Sequence, residues 1–387
     1  MTTIQTGITA LLKSAITGVP QQLPAGFDIQ TAAPLIQRHH MVSMAYIGAL
    51  TCGIPQQDPL MQQFFRSYCK VLQISERQMQ ALERVFAAFE KNGIDYMPLK
   101  GTNMKQLYPK PELRIMGDAD VLIQMEQYEK IIPIMESLGF TPKMESDHEL
   151  SWQSADLYLE LHKRLIPSYN EEYYAYYGDG WEFARLQSGS RFAMTPEDSF
   201  VYLFTHFTKH YRDGGIGCRH VVDLWVYLRS HLNLDEAYIQ RELEKLKLLE
   251  FYQNMRRLIT VWFEGAAADD KTDFMTEFIF ASGSWGAMDS GAISMGLRNA
   301  KRGGSFGSKL IYVWRHLFPG VALLKYKYTV LQKVPWLLPV VWVIRPFYKV
   351  FAEWGSVMQH KRKLDLMSQE NIDERRQMLQ YVGLEFQ

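Results

Sequence analysis

The sequence predicts an α+β protein: a small mixed β-sheet core embedded in mostly helical N- and C-terminal regions. Three observations predict it. Apolar residues recur at three- and four-residue spacing from Met61 to Glu90, which is the period of a helix. Between Ile94 and His162 the pattern changes to short apolar runs and alternation, the period of a strand. Beyond Thr195 the helical period returns.

The bulk composition supports a folded chain. The protein has 387 residues, of which 47% are hydrophobic, 13% aromatic and 22% charged. That is enough apolar material for two or three domains with a sizeable core, and it argues against wholesale disorder. Lysine plus arginine number 42 and aspartate plus glutamate number 42. The balance carries no strong nucleic-acid signal. Cys52, Cys69 and Cys218 are widely spaced with no CxxC pair. A zinc knuckle or disulfide framework is therefore not expected, and a reducing cytoplasm is. Met1 to Pro20 has one lysine, Lys13, and no long apolar run, so no signal peptide is expected.

The elements follow in order. Residues from about 30 to 91 read as helical, with Asn92-Gly93 as the stop signal. Ile94 to Leu99 suits a strand, and a helix is expected to open at Asn103 to Leu107 after Gly101-Thr102. Tyr108 to Gly117, with Pro109 and Pro111, reads as a loop. Asp118 to Ile123 alternates as a strand, and Glu126 to Leu138 reads as an amphipathic helix despite Pro133. Glu149 to Trp152 and Asp156 to His162 are expected to pair as a hairpin. Helices are predicted at Asp198 to Tyr211, Cys218 to Ser230, Leu234 to Leu246 and Leu249 to Phe263. The expected regions are 1–91 helical, 92–195 the sheet core, 196–282 helical, 283–307 a Gly/Ser-rich linker and 308–387 an apolar, basic helical segment.

Three pieces of the middle region carry chemistry. In Leu99-Lys100-Gly101-Thr102 a strand runs into a glycine turn before a helix. Backbone N–H groups at a helix start bind phosphate, and glycine permits close approach. In Asp118-Ala-Asp120 two carboxylates share one strand face. Like charges side by side are costly to bury without a cation. Magnesium favours carboxylate and phosphate oxygens and suits the pair. In Asp156-Leu-Tyr-Leu-Glu160-Leu-His162 the leucines face one way and Glu160 and His162 the other. If this strand lies beside that of Asp118, Glu160 supplies a third carboxylate.

The order of these pieces resembles the polymerase-β-like nucleotidyltransferase superfamily. More narrowly, Pro98-Leu-Lys-Gly-Thr102, Leu107-Tyr-Pro-Lys-Pro-Glu-Leu-Arg114 and Gly117-Asp-Ala-Asp-Val-Leu-Ile123 resemble a family of uncharacterised bacterial nucleotidyltransferases. Leu159-Glu-Leu-His162, His206-Phe-Thr-Lys-His210 and Arg219-His-Val-Val-Asp223 resemble its later segments. Lys100-Gly101-Thr102 stands where the superfamily usually has Gly-Gly or Gly-Ser, and the gap to Asp118 is longer than usual.

The resemblance implies roles. Asp118, Asp120 and Glu160 would be catalytic and hold metal, two Mg²⁺ ions with Mn²⁺ as an alternative. Lys100, Gly101, Thr102 and Arg114 would bind the nucleotide. For Arg114 an ion pair with an acidic neighbour is an equal alternative. The implied reaction moves a nucleotidyl group from a nucleoside triphosphate to a hydroxyl of an unknown acceptor. Two other classes stay open: a toxin-like enzyme acting on tRNA, and a non-catalytic scaffold that keeps the fold.

Four further residues and one segment stand out. His206 and His210, at i and i+4, share a helix face. They are expected to be structural or to line a substrate pocket with His162, rather than to form a second metal site with His220 and Asp223. Residues 310–354 are apolar, aromatic and basic, and Val334 to Ile344 is too short to span a bilayer. Packing on the rest of the chain is the first expectation there. Contact with a partner or a membrane surface is the second, with a cytoplasmic protein peripheral to the membrane.

Overall fold

In the computed structural model the described residues are 1–283, 313–314, 317–325, 328–352, 364–366 and 368–384. The linker expected at 283–307 lies outside them, apart from Gly283.

Four helices lead in: α1 (Thr3–Thr17), α2 (Ile29–Arg38), α3 (Val42–Thr51) and α4 (Pro59–Lys91). Helix α1 lies within the region 1–91 expected to be helical, although no separate element is expected before residue 30. Thr2 and Gln5 close a capping box at its start, which satisfies two orphan donors. Helix α4 begins on an Asp58 cap with Pro59 in its first turn. It ends as expected at Asn92-Gly93, where Gly93 takes a φ of 63°.

The middle of the chain forms one seven-stranded mixed sheet. Its strands are β1 (Tyr96–Pro98), β2 (Ala119–Ile123), β3 (Thr141–Glu145), β4 (Glu149–Gln153), β5 (Tyr158–His162), β6 (Arg185–Ser188) and β7 (Arg191–Ala193). The spatial order is β3-β4-β5-β2-β1-β7-β6. Strands β2 and β5 run parallel, as do β1 and β7, and the other neighbours are antiparallel. The β4–β5 hairpin was expected. Strands β3, β6 and β7 were not: exposed strands such as β3 and β6 lack the alternation that marks a half-buried one, and β7 has only three residues. All of β6 and most of β3 are exposed.

Three helices interrupt the strands: α5 (Lys100–Gln106), α6 (Tyr128–Ser137) and α7 (Glu171–Tyr177). Beyond β7 come α8 (Pro196–Asp213), α9 (Cys218–Ser230), α10 (Glu236–Lys245), α11 (Leu249–Ile259) and α12 (Asp270–Ser282).

The two faces of the sheet have different partners. Ala119, Val121 and Ile123 of β2, with Leu159 and Leu161 of β5, pack against Leu82, Val85 and Phe89 of α4 and Ile131 and Met135 of α6. The alternate residue Leu122 belongs to a larger core that includes α1, α3, α8, α9 and α11. Strand period two thus sends leucines and valines under α4 and α6. It turns Asp120, Glu160 and His162 toward α8 and α9. Among the described residues no helix is long and apolar enough to cross a membrane.

Candidate active site

The site forms where the open sheet face meets α8 and α9. Leu99 N–H donates to the Asp120 carbonyl at 2.9 Å, tying the exit of β1 to β2. Helix α5 then starts at once, at Lys100, three residues earlier than expected. Lys100 takes a φ of 37°, in the left-handed region that L-residues seldom occupy. This turn sends its side chain back over the sheet, where Nζ donates to Asp120 Oδ1 at 2.9 Å.

Strands β2 and β5 pair with Asp120 directly opposite Glu160 and Leu122 opposite His162. Adjacent parallel strands stand about 4.8 Å apart, so the side chains meet. His162 Nε2 lies 2.8 Å from Asp120 Oδ1 and 3.7 Å from Glu160 Oε2. The ligand-capable atoms of Asp120, Glu160 and His162 all fall within 4.8 Å of one another. Asp118 sits two residues upstream at the mouth of the cleft, outside that group. Of the expected trio, Asp120 and Glu160 fall in that group together with His162, which shares the Glu160 face, and Asp118 lines the same cleft.

The electrostatics follow from this crowding. Burial opposes ionisation of Asp120, but the Lys100 ammonium and the His162 hydrogen bond outweigh it and hold the carboxyl well below its usual range. Burial and the Lys100 charge would lower His162, yet hydrogen bonds to Asp120 and Glu160 raise it overall. Asp118 is open to water on one side, but the cleft walls desolvate it and Asp120 and Glu160 repel it. Its carboxyl rises to about 6. A negative site with a frustrated carboxylate at its rim suits a cation. Two carboxylates and an imidazole form a donor set that fits a divalent ion.

The cleft has a volume of about 250 Å³, and Lys100, Gly101, Asp118, Asp120, Glu160, His206, His210 and His220 line it. The two expected histidines thus join the acidic strands. His206 and His210 hydrogen-bond to each other through their Nε2 atoms at 2.9 Å. Burial drives His206 well below its ordinary value, His210 to about 4 and His220 to about 3. The rings are neutral near pH 7 and present an uncharged wall opposite the carboxylates. His148 and Glu149, also on the cleft, were missed. Their signal was a charged pair at the start of a strand, with Glu149 opposite His162.

Arg114 and Thr102 are both engaged within the fold. Arg114 was expected on phosphate or in an ion pair. Its Nε and Nη2 donate to Asp223 Oδ1 and Oδ2 at 2.8 and 3.0 Å, and Nη1 faces the Gly101 carbonyl at 3.3 Å. Tyr108 donates to the same Asp223 at 2.6 Å. Both carboxylate oxygens of Asp223 are thereby engaged. The guanidinium borders the cleft but its fork is taken, because a buried charge requires a partner. Thr102 is 1% exposed. Its amide donates to the Leu99 carbonyl and its hydroxyl is buried without a partner, so it does not reach the cleft. Gly101 does. A Cβ there would lie 3.0 Å from Arg114 Nη1, so the glycine lets α5 approach this ion pair without displacing the guanidinium.

The sequence itself matches a known family. A family model described as "Uncharacterised nucleotidyltransferase" covers residues 25–264, which includes β1, β2, β5, α8 and α9. No curated protein and no solved structure matches the chain. The matched span takes in more than half of the 387 residues and every side chain of the cleft, and the chain belongs to this uncharacterised nucleotidyltransferase family.

Proposed function

We propose that the protein is a metal-dependent nucleotidyltransferase that moves a nucleotidyl group from a nucleoside triphosphate to a hydroxyl of a small molecule or protein. One observation carries the reading: Asp120 and Glu160 are register partners across β2 and β5, with Asp118 on the same edge. In the reaction the acceptor oxygen forms a bond to the α-phosphorus. The bond from that phosphorus to the bridging oxygen breaks, and pyrophosphate leaves.

In this proposal Asp118, Asp120 and Glu160 hold the metal, Mg²⁺ with Mn²⁺ as the alternative, and His162 supplies a fourth donor or orients Asp120. A divalent ion there would neutralise the triphosphate and acidify the acceptor hydroxyl. Glu160 takes the hydroxyl proton. Lys100 and the amides at the start of α5 face the phosphates, and Gly101 lets them approach. Positioning and fixed charge then supply most of the rate.

The acceptor class is narrowed by charge. Asp118, Asp120, Glu149, Glu160 and Asp223 line the cleft against Lys100, Arg114, Lys209 and Arg219. Polynucleotide acceptors call for an excess of basic groups, so this mixed lining favours a small or protein hydroxyl over tRNA. The region 92–195 would carry the chemistry, with 196–282 closing the cleft.

Incubation with each labelled triphosphate and a cell lysate tests the proposal. Label should pass to an acceptor with wild-type protein and Mg²⁺ or Mn²⁺, and not with Asp120→Asn. Absence of transfer and of metal-dependent triphosphate binding in calorimetry would favour a scaffold that keeps the fold.

A further inference from the structure

The C-terminal segment carries a pattern that the cleft does not use. From Lys301 to Lys363 there are twelve lysines and arginines and a single acidic residue, Glu353, in a chain whose formal charge is zero. The described part of this segment also has an unusual surface. Trp336 precedes the helix Leu338–Ala352 by a single 3₁₀ turn. Trp336, Val340, Val343 and Ile344 are 76%, 50%, 63% and 56% exposed. Val340, Val343 and Ile344 share one stripe of the helix, and Trp336 stands in the turn that leads into it.

The opposite side is already occupied. Val341 is buried with Leu324 and Leu331, and Leu337, Leu338 and Trp342 pack against them. Trp342 donates its indole N–H to the Pro319 carbonyl at 2.8 Å. The helix is thus apolar on its packed side and apolar on its water side. A helix of that kind has its outer stripe covered in its working state.

Charge selects the cover. We propose that residues 314–345 dock the protein on an anionic lipid surface. The stripe from Trp336 to Ile344 enters the boundary between headgroups and acyl chains, and the net positive charge of the segment draws it to an anionic surface. Indole rings favour that boundary, and long basic side chains reach out of it. RNA would also match the positive charge, but valine and isoleucine have no π face for base stacking. No described helix is long and apolar enough to span the bilayer, so the segment lies on it. Lys325 ion-pairs with Glu145 of β3, and β3 leads directly to His148 and Glu149 at the cleft. The docking face is therefore fastened to the sheet that carries the site.

The test uses the full-length protein and sedimentation with two kinds of vesicle, phosphatidylcholine alone and phosphatidylcholine mixed with phosphatidylserine. Binding is expected with the mixed vesicles, with a blue shift of tryptophan emission, and it should weaken as salt rises. The Trp336→Ser/Ile344→Ser variant should lose at least about tenfold in vesicle affinity while its thermal transition stays in place. The Val343→Ser variant provides a milder second point. Sedimentation with neither vesicle, equal sedimentation with both, undiminished binding by the double variant, or retention of single-stranded RNA in place of vesicles would each overturn the proposal.

Discussion

Lys100 Nζ lies 2.9 Å from Asp120 Oδ1, with side-chain exposures of 15% and 8%. The ammonium stands where a cation is wanted, and His162 meets the same oxygen. Burial favours a neutral amine, but the Asp120 charge raises Lys100 above its ordinary value. The lysine is therefore charged and compensates the acidic strands while no metal is bound.

Asp118 and Asp120 should separate activity from stability in opposite ways. Either change to alanine is expected to lower metal-dependent triphosphate turnover by at least about a hundredfold. Asp118→Asn should leave the melting temperature unchanged or raise it, because Asp118 is desolvated and repelled by Asp120 and Glu160. Asp120→Ala should lower it, because Lys100 and His162 lose their shared partner. Unchanged turnover in both variants would refute the metal site. Thermal scans beside a turnover assay read both effects.

Glu160 and Asp156 test the choice of third carboxylate. Glu160 pairs with Asp120 in the sheet, whereas Asp156 precedes β5 in the turn from β4. Glu160→Ala should reduce turnover far more than Asp156→Ala. The reverse order in a steady-state assay would show that the carboxylate was misassigned.

The Arg114–Asp223 pair should be structural in its energetics. Asp223→Ala leaves a buried guanidinium without its partner and is expected to destabilise by about 3–5 kcal/mol. Arg114→Lys should not rescue the site, because an ammonium cannot reproduce the two-pronged contact. Arg114→Met combined with Asp223→Leu should recover much of the loss. Urea unfolding of the four proteins, with no recovery in the double variant, would point to a role beyond mutual compensation.

His39 should make the fold acid-sensitive. Its Nδ1 accepts the Cys218 amide N–H and its Nε2 meets the Phe280 carbonyl. Burial lowers its pKa to about 4 from an ordinary 6.5. The unfolded chain binds this proton first, so the contribution is complete above pH 6.5 and fades as pH falls toward 4. The shift corresponds to about 3 kcal/mol at most. His39→Gln should flatten the slope of unfolding free energy between pH 4 and 6.5. An unchanged slope would assign the acid sensitivity to other buried histidines.

Much of this architecture was legible in the chain. The stop at Asn92-Gly93, the alternation of Asp118 to Ile123 and the β4–β5 hairpin follow from local periods and turn residues. Strands β3 and β6 were hidden because their exposed residues carry no apolar alternation, and β7 is only three half-buried residues long. Helix α5 begins early, at Lys100, whose left-handed φ its residue type does not announce. For Arg114 the chain offered a phosphate contact or an ion pair equally, and the structure holds it in an ion pair with Asp223, while Thr102 is buried away from the cleft. Side-chain type indicates a capacity to bind, and only packing decides what is within reach.

By itself the sequence determined which residues share a face: Asp118 with Asp120, Glu160 with His162, and His206 with His210. Those relations come from backbone periods of two and 3.6, which are local. Tertiary structure decided which faces meet. It set β5 parallel to β2, so that His162 joined Asp120, and it gave Arg114 a partner 109 residues away. Strand order and buried ion pairs depend on which surfaces leave water together. That is a property of the whole folded chain, because no local segment contains both partners.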